Sequence, residues 1–303
     1  HSEYVAIPPL WRKYKQKSLS NTLAKLYGTL EHFDTHLGRV LAKLNELGLE
    51  ENTVIIFHSD NGPNLTNDSA GALTPSDWAI RNPSNLRGNK ANTWENGIKT
   101  PCFIRWKGAF TPKEVDIPTG VTDLFPTIME LAGVDYESTK KQDGMSLVSL
   151  LNEGSKDSPI YQELENRFYF TSQQAVVFQG RRDKNLPFPD DYRNRIRFED
   201  QSLVCIKGGF KLIQKPNNHP HPFTPQPEAD TDHYVLIHLE NDPTESTNVI
   251  KHHPELAETM KEALEEWFGN VVTDENFGNR PEFIIGYQEK EKATVSVRCA
   301  SRV

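Results

Sequence analysis

The sequence predicts an α/β layer architecture that gives way to a smaller α+β domain. Three observations carry this reading. Leu23, Leu26, Leu30, Phe33, Leu37, Val40, Leu44 and Leu47 recur at spacings of three and four, which marks a long amphipathic helix over 19–47. A run apolar at every position, Val54-Ile55-Ile56-Phe57, follows at once and has the character of a central strand covered on both faces. Beyond about Asn152 the pattern becomes short β-rich runs closed by one amphipathic helix, as in an α+β domain. The expected division is an α/β part over 1–152, a small α+β domain over 153–269 and a tail over 270–303.

Each element has its own signal. Gly48 stops the long helix, and Glu50 and Glu51 form a short link into the strand 53–58. Residues 62–100 are rich in Gly, Asn, Pro and Ser and lack periodicity; so long an irregular segment in a compact domain is more often functional than idle. Cys102-Phe103-Ile104-Arg105-Trp106 reads as a second strand. A helix starts at Thr122-Asp123-Leu124-Phe125-Pro126, with Pro126 in its first turn and Gly133 as its stop, and a short helical stretch covers 144–151. Two β-rich runs, 202–206 and 210–213, flank Gly208-Gly209 as a hairpin, and a third strand is expected over 234–239. The last clear element is the helix 254–268, opened by Pro254 and stopped by Gly269, with Leu256, Met260, Leu264 and Trp267 on one face. The tail offers an isolated apolar run, Phe283-Ile284-Ile285.

Bulk properties exclude several classes. A chain of 303 residues with 36% hydrophobic and 10% aromatic residues is neither a disordered tail nor a collagen-like repeat. A net charge of −8 and the absence of a basic stripe argue against a nucleic-acid partner. No apolar run is long enough to span a membrane. Cys102, Cys205 and Cys299 lie far apart and form no CxxC pair, which argues against a disulfide scaffold or a zinc site. Asn64-Leu65-Thr66 and Asn67-Asp68-Ser69 fit the glycosylation sequon, a short pattern that also arises by chance. The first residue is His1 rather than Met, so a processed or truncated start is expected.

Ser59-Asp60-Asn61-Gly62-Pro63 closes the apolar strand. By itself it is turn-forming sequence, because Asn and Gly tolerate positive φ and Pro cannot continue a ladder. Several landmarks in order widen that reading. The stretches TVIIFHSDNGPN (53–64), LRGNKANTWENGIKTPCFIRWKG (86–108), VTDLFPTIMELAGV (121–134), DGMSLVSLL (143–151), GGFKLIQKP (208–216) and LIHLENDPTESTNVIKHHPELAETMKEALEEW (236–267) resemble the C-terminal half of a type I sulfatase of the alkaline-phosphatase-like superfamily.

The resemblance implies the C-terminal part of a mixed-sheet α/β/α sulfatase domain followed by its small α+β domain. It implies a hydrolase of sulfate esters, acting on a sulfated carbohydrate or aryl sulfate through calcium and a formylglycine nucleophile. The formylglycine arises in a C/S-x-P/A-x-R motif, which this chain lacks, so the nucleophile-bearing half is expected outside it and the chain alone is expected to be inactive. Asp60 and Asn61 match the family's metal ligands, and hard oxygen donors suit calcium. Asp60 also matches a group able to accept the nucleophile's proton. Lys90 matches the lysine that contacts sulfate and stabilises charge on the leaving group; composition alone would make it a solvated loop lysine. His1 corresponds either to a substrate-contacting histidine able to protonate the leaving oxygen or to a plain terminus, and the family's proline two residues on is missing. Export to the periplasm, the cell exterior or the lysosome is likewise an implication of the resemblance.

Two departures stand inside the motifs. His58 replaces a small hydroxyl residue and reads as a buried, satisfied histidine, and Asn96 replaces a common Gly. His219, His221, His252 and His253 read as surface residues, and the arginines between 181 and 197 as a solvated face or the rim of an anionic-substrate cleft. Alternative readings are a phosphonate or phosphate-ester hydrolase of the same superfamily, or a binding module that kept the fold and lost its centre.

Overall fold

Ser20 opens the longest helix of the protein. Its Oγ accepts the Leu23 N–H at 3.1 Å, satisfying one of the orphan donors of the first turn. In the computed structural model, which describes residues 7–64, 73–136, 142–153, 156–172, 196–216, 226–273, 282–285 and 293–296, this helix is α2 (Asn21–Glu46), and α1 (Pro8–Lys15) packs against it. Gly28 permits that crossing: a Cβ there would lie 2.9 Å from the Trp11 backbone nitrogen. At the far end Gly48, at φ 66°, donates to Asn45 O, and Leu49 N–H reaches Leu44 O at 2.9 Å, so the expected stop closes as a Schellman turn.

The chain divides into two compact units, one of His1–Lys90, Trp94–Arg167 and His221–Thr224, the other of Ala91–Thr93, Phe168–Pro220 and Pro225–Val303. In the first, β1 (Val54–His58) pairs with β2 (Cys102–Trp106), Val54 opposite Trp106 and His58 opposite Cys102. The pairing is antiparallel and the sheet has two strands among the described residues, with β1 half-buried along its length. The expectation of a central strand covered on both faces is therefore corrected for the described residues.

Two short helices break the segment read as irregular: α3 (Pro75–Arg81), opened by a Thr74–Asp77 capping box, and α4 (Glu95–Ile98). A 3₁₀ turn at Val121–Asp123 leads into α5 (Leu124–Leu131), and Gly133 stops it at φ 63°. The stretch expected to be helical over 144–151 is irregular at its start, where the Met145 and Leu147 amides bond to Asp123 and Thr127, and helical only in α6 (Val148–Glu153). α7 (Pro159–Asn166) joins α6 through a small core of Leu147, Leu150, Tyr161 and Leu164. That core extends the first unit to Arg167, past the change of character read near Asn152.

The second unit is an antiparallel meander in the order β3 (Tyr169–Ser172), β4 (Leu203–Lys207), β5 (Phe210–Gln214), β6 (Tyr234–His238), with α8 (Pro254–Thr273) packed on it. The β4–β5 hairpin turns on Gly208 and Gly209 at φ 53° and 76°, left-handed values that glycine adopts without strain. Leu203, Cys205, Leu212 and Leu236 of the sheet meet Ala257, Met260, Leu264 and Phe268 of the helix in a continuous core. The helix runs through Gly269 instead of stopping there; Thr273 Oγ1 bonds the Gly269 carbonyl one turn back. In the tail, β7 (Glu282–Ile285) pairs with β8 (Ala293–Ser296), so the apolar run at 283–285 is half of a hairpin. No helix among the described residues is long and apolar enough to cross a membrane.

Candidate functional site

The apolar strand β1 delivers Ser59, Asp60 and Asn61 at its carboxyl end, and the turn is tied down by its own atoms. Ser59 N–H donates to Pro101 O at 3.3 Å and Ser59 Oγ to Asn61 O at 2.9 Å. Asn61 Nδ2 donates to Gly62 O at 2.8 Å, which leaves its Oδ1 as the acceptor atom of that side chain. Asp60 is exposed, and among the described residues its carboxylate takes no hydrogen bond or ion pair.

The loop 87–97 packs on this turn backbone to backbone. Gly62 N–H reaches Gly97 O at 2.9 Å, and a Cβ at Gly62 would stand 1.8 Å from Asn96 O, so only glycine fits. Lys90 N–H donates to Pro63 O at 2.8 Å, which holds Lys90 beside the turn that carries Asp60 and Asn61. The Lys90 side chain is half-buried, and its ammonium likewise has no partner among the described residues. The Lys90 ammonium and the Asp60 carboxylate thus stand on adjoining segments, each without a partner among the described residues.

Asn96 braces the same loop. Its N–H bonds Arg87 O at 2.8 Å and its Nδ2 bonds Gly88 O at 2.9 Å. Arg87 is fully buried, its guanidinium 5.3 Å from the ring centroid of the fully buried Trp94. The residue in place of a common glycine thus closes the loop with a side-chain bond that glycine cannot make. His58 is half-buried and its Nε2 lies 3.3 Å from Thr100 Oγ1, tying the end of β1 to the start of β2. Sequence reasoning singled out Asp60, Asn61 and Lys90 but missed Gly62 as the contact that seats them; the one signal for it was the glycine in Asp-Asn-Gly-Pro.

Among the described residues no three His, Cys, Asp or Glu side chains converge on one point, so the oxygens of Asp60 and Asn61 are a partial donor set. Their chemistry, one carboxylate and one amide oxygen, fits a hard cation such as calcium. His1, the arginines 181, 182, 193 and 195, His219, His221, Cys299 and most of both sequons lie outside the described residues. His252 and His253 are exposed, as expected, and Arg197 is exposed and paired with Glu199.

The two-stranded sheet flanked by helices, followed by the helix-backed meander, is an α/β sulfatase-like fold. Residues 3–134 match the family model described as Sulfatase. Steryl-sulfatase of Rattus norvegicus is 39% identical over 128 residues, 41% of this chain and 21% of that protein. A sulfatase of Formosa agariphila is 29% identical over 300 residues, 88% of this chain and 44% of that protein. The crystal structure of Ps i-CgsB, also solved in complex with k-i-k-neocarrahexaose, superposes with a TM-score of 0.63 at 20% identity, over 92% of this chain and 49% of that one. Phosphonate monoester hydrolase of Agrobacterium radiobacter gives 0.52 at 20% identity, over 92% and 47%. The chain is thus similar to sulfatases in sequence over residues 3–134 and in fold over most of its length, and it spans about half the length, or less, of these relatives.

Proposed function

We propose that the chain carries part of the active site of a sulfuric ester hydrolase, with its metal- and sulfate-contacting residues, and that a formylglycine nucleophile comes from polypeptide outside these 303 residues. The observation that carries this reading is the 2.8 Å bond from Lys90 N–H to Pro63 O, which holds the backbone of Lys90 beside the turn of Asp60 and Asn61.

Asp60 Oδ atoms and Asn61 Oδ1 are the donors for calcium, which when bound supplies positive charge for the oxygens of the sulfate. Asp60 accepts the proton of the attacking hydroxyl. Lys90 neutralises a sulfate oxygen and the charge that builds on the leaving oxygen as the ester bond breaks. His1 protonates that leaving oxygen. The substrate class is a sulfated carbohydrate or an aryl sulfate, which agrees with a neighbour of this fold solved with k-i-k-neocarrahexaose. Export from the cytoplasm follows from the same family reading.

Calcium calorimetry and ester hydrolysis test this. The chain alone is expected to bind calcium weakly, because two side chains leave most of its roughly six to eight positions to water. Asp60→Ala is expected to abolish that binding, and no appreciable sulfate ester turnover is expected. Tight calcium binding indifferent to Asp60→Ala would overturn the ligand assignment. The phosphonate hydrolase among the structural neighbours favours a second reading. In the protein extended to relatives' length, faster hydrolysis of p-nitrophenyl phosphate esters than of p-nitrophenyl sulfate would replace the sulfatase reading with that one.

A further inference from the structure

α2 carries a pair of histidines that the candidate site does not use. His32 and His36 are four residues apart, so the helical repeat places them on one face, one turn above the other. Their rings meet edge to face with centroids 4.4 Å apart. The pair lies beside the apolar stripe of Leu30, Phe33, Leu37 and Val40 and not within it. Asp34, two residues from each, stands on the other side of the helix. Thr35 Oγ1 is turned back onto the Glu31 carbonyl at 2.8 Å.

Most of the ring nitrogens of this pair have no bond to the protein. Among the described residues neither nitrogen of His32 takes a hydrogen bond. At His36 only Nδ1 does, at 3.1 Å from Arg39 Nη1. A guanidinium has donors and no acceptor, so His36 Nδ1 meets it with a lone pair. Two other histidines behave differently. His58 Nε2 lies 3.3 Å from Thr100 Oγ1, and His238 Nδ1 accepts the Asn241 amide at 3.3 Å. Those two rings tie one segment to another, whereas the α2 pair joins no segments.

We propose that His32 and His36 form a two-imidazole site for a borderline-soft divalent ion of the zinc and copper class, with water in its remaining positions. Imidazole nitrogen suits zinc, copper and nickel, whereas calcium takes oxygen. Histidines one helical turn apart have the spacing at which two rings of one helix share a zinc ion. The site differs in kind from the oxygens of Asp60 and Asn61, and it does not depend on the sulfatase reading. In the edge-to-face contact the rings are not aimed at one point. Rotation about their side-chain torsions aims them, and the exposure of His36 leaves that rotation open. Arg39 opposes the ion twice, by bonding Nδ1 and by its charge. An ion held by both rings bridges one turn and stabilises the middle of α2.

Calorimetry and hydrogen exchange with Zn2+, and separately with Ca2+, test this on the 303-residue chain. Saturating Zn2+ is expected to slow amide exchange over 30–42 about tenfold, and Ca2+ is expected to leave that segment unchanged. His32→Ala and His36→Ala are each expected to weaken Zn2+ binding about tenfold or more. Arg39→Gln is expected to tighten it about threefold or more, because a competing donor and a like charge are removed. His252→Ala, at another exposed histidine, is expected to leave it unchanged. His36→Ala puts a strong helix former at an exposed position, so its loss of binding is not a loss of fold, and circular dichroism checks this. Zn2+ binding that both alanine variants retain in full would overturn the proposal. So would Zn2+ binding that leaves exchange over 30–42 unchanged.

Discussion

Arg167 grips Asp123 with two parallel hydrogen bonds, Nη1 to Oδ1 at 2.8 Å and Nη2 to Oδ2 at 2.7 Å. The carboxylate is fully buried and also accepts the Gly120 and Met145 amides at 2.7 and 2.9 Å. One side chain thus joins the start of α5, the approach to α6 and the residue after α7. Gly144 makes the approach possible, since a Cβ there would stand 2.0 Å from Thr122 O.

Truncating one partner of this pair leaves a buried group unpaired. Arg167→Ala is expected to destabilise the unit by about 3–5 kcal/mol, because the Asp123 charge stays behind in the core. Denaturant unfolding of the single variants and of the double variant with Asp123→Ala checks this. A double variant as unstable as the sum of the singles would show that the two residues do not act on each other.

The seat of the candidate site depends on Gly62. Gly62→Ala places a methyl 1.8 Å from a backbone oxygen, so the loop 87–97 must move. The cost is expected to be roughly 1–3 kcal/mol, as for overpacking. Hydrogen exchange at the Lys90 amide, bonded to Pro63 O in the native chain, is expected to accelerate.

Lys211 and Glu245 form a second buried ion pair at 2.7 Å, both side chains fully buried. Lys211→Met alone is expected to cost about 3–5 kcal/mol, whereas Lys211→Met with Glu245→Leu is expected to recover most of it. Thermal unfolding of the three proteins distinguishes an ion pair needed for stability from one needed only in balance.

Hydrogen bonds from Lys107 and then Arg105 hold the Glu50 carboxyl below the ordinary glutamate range. A depressed folded value gives stability that is present above the ordinary range and lost as pH falls through the folded value. Acid unfolding profiles are expected to show this contribution fading below about pH 4.5. In Glu50→Gln the same profile is expected to flatten over that window.

The two cysteines among the described residues divide by burial. The Cys205 thiol is fully buried, and burial pushes it up to about 12, whereas Cys102 is exposed. Alkylation near neutral pH followed by peptide mapping is expected to mark Cys102 in the native protein and Cys205 only after unfolding.

Local chemistry made much of this legible. Gly208-Gly209 announces the hairpin because adjacent left-handed residues need glycine, and Gly48 and Gly133 mark helix ends for the same reason. Gly269 shares that composition without the role: its backbone stays helical and α8 continues to Thr273. The strand at Tyr169–Ser172 was not foreseen, since its neighbour in the sheet, β4, lies far along the chain.

Asp60, Asn61 and Lys90 stand out in the sequence because their surroundings follow a family pattern. Their seating does not, because it depends on one carbonyl, Asn96 O, meeting one missing Cβ at Gly62. The sequence by itself determined the long helices, the strands β1, β2, β4, β5 and β6 and which residues carry charge to the end of β1, because periodicity and turn chemistry act over a few neighbours. Only the tertiary structure decided that β1 pairs antiparallel with β2, alone among the described residues, and that Leu30, Phe33 and Val40 of the α2 stripe stay exposed. Pairing and burial depend on groups distant in sequence, and an apolar pattern states that a face needs cover without supplying it.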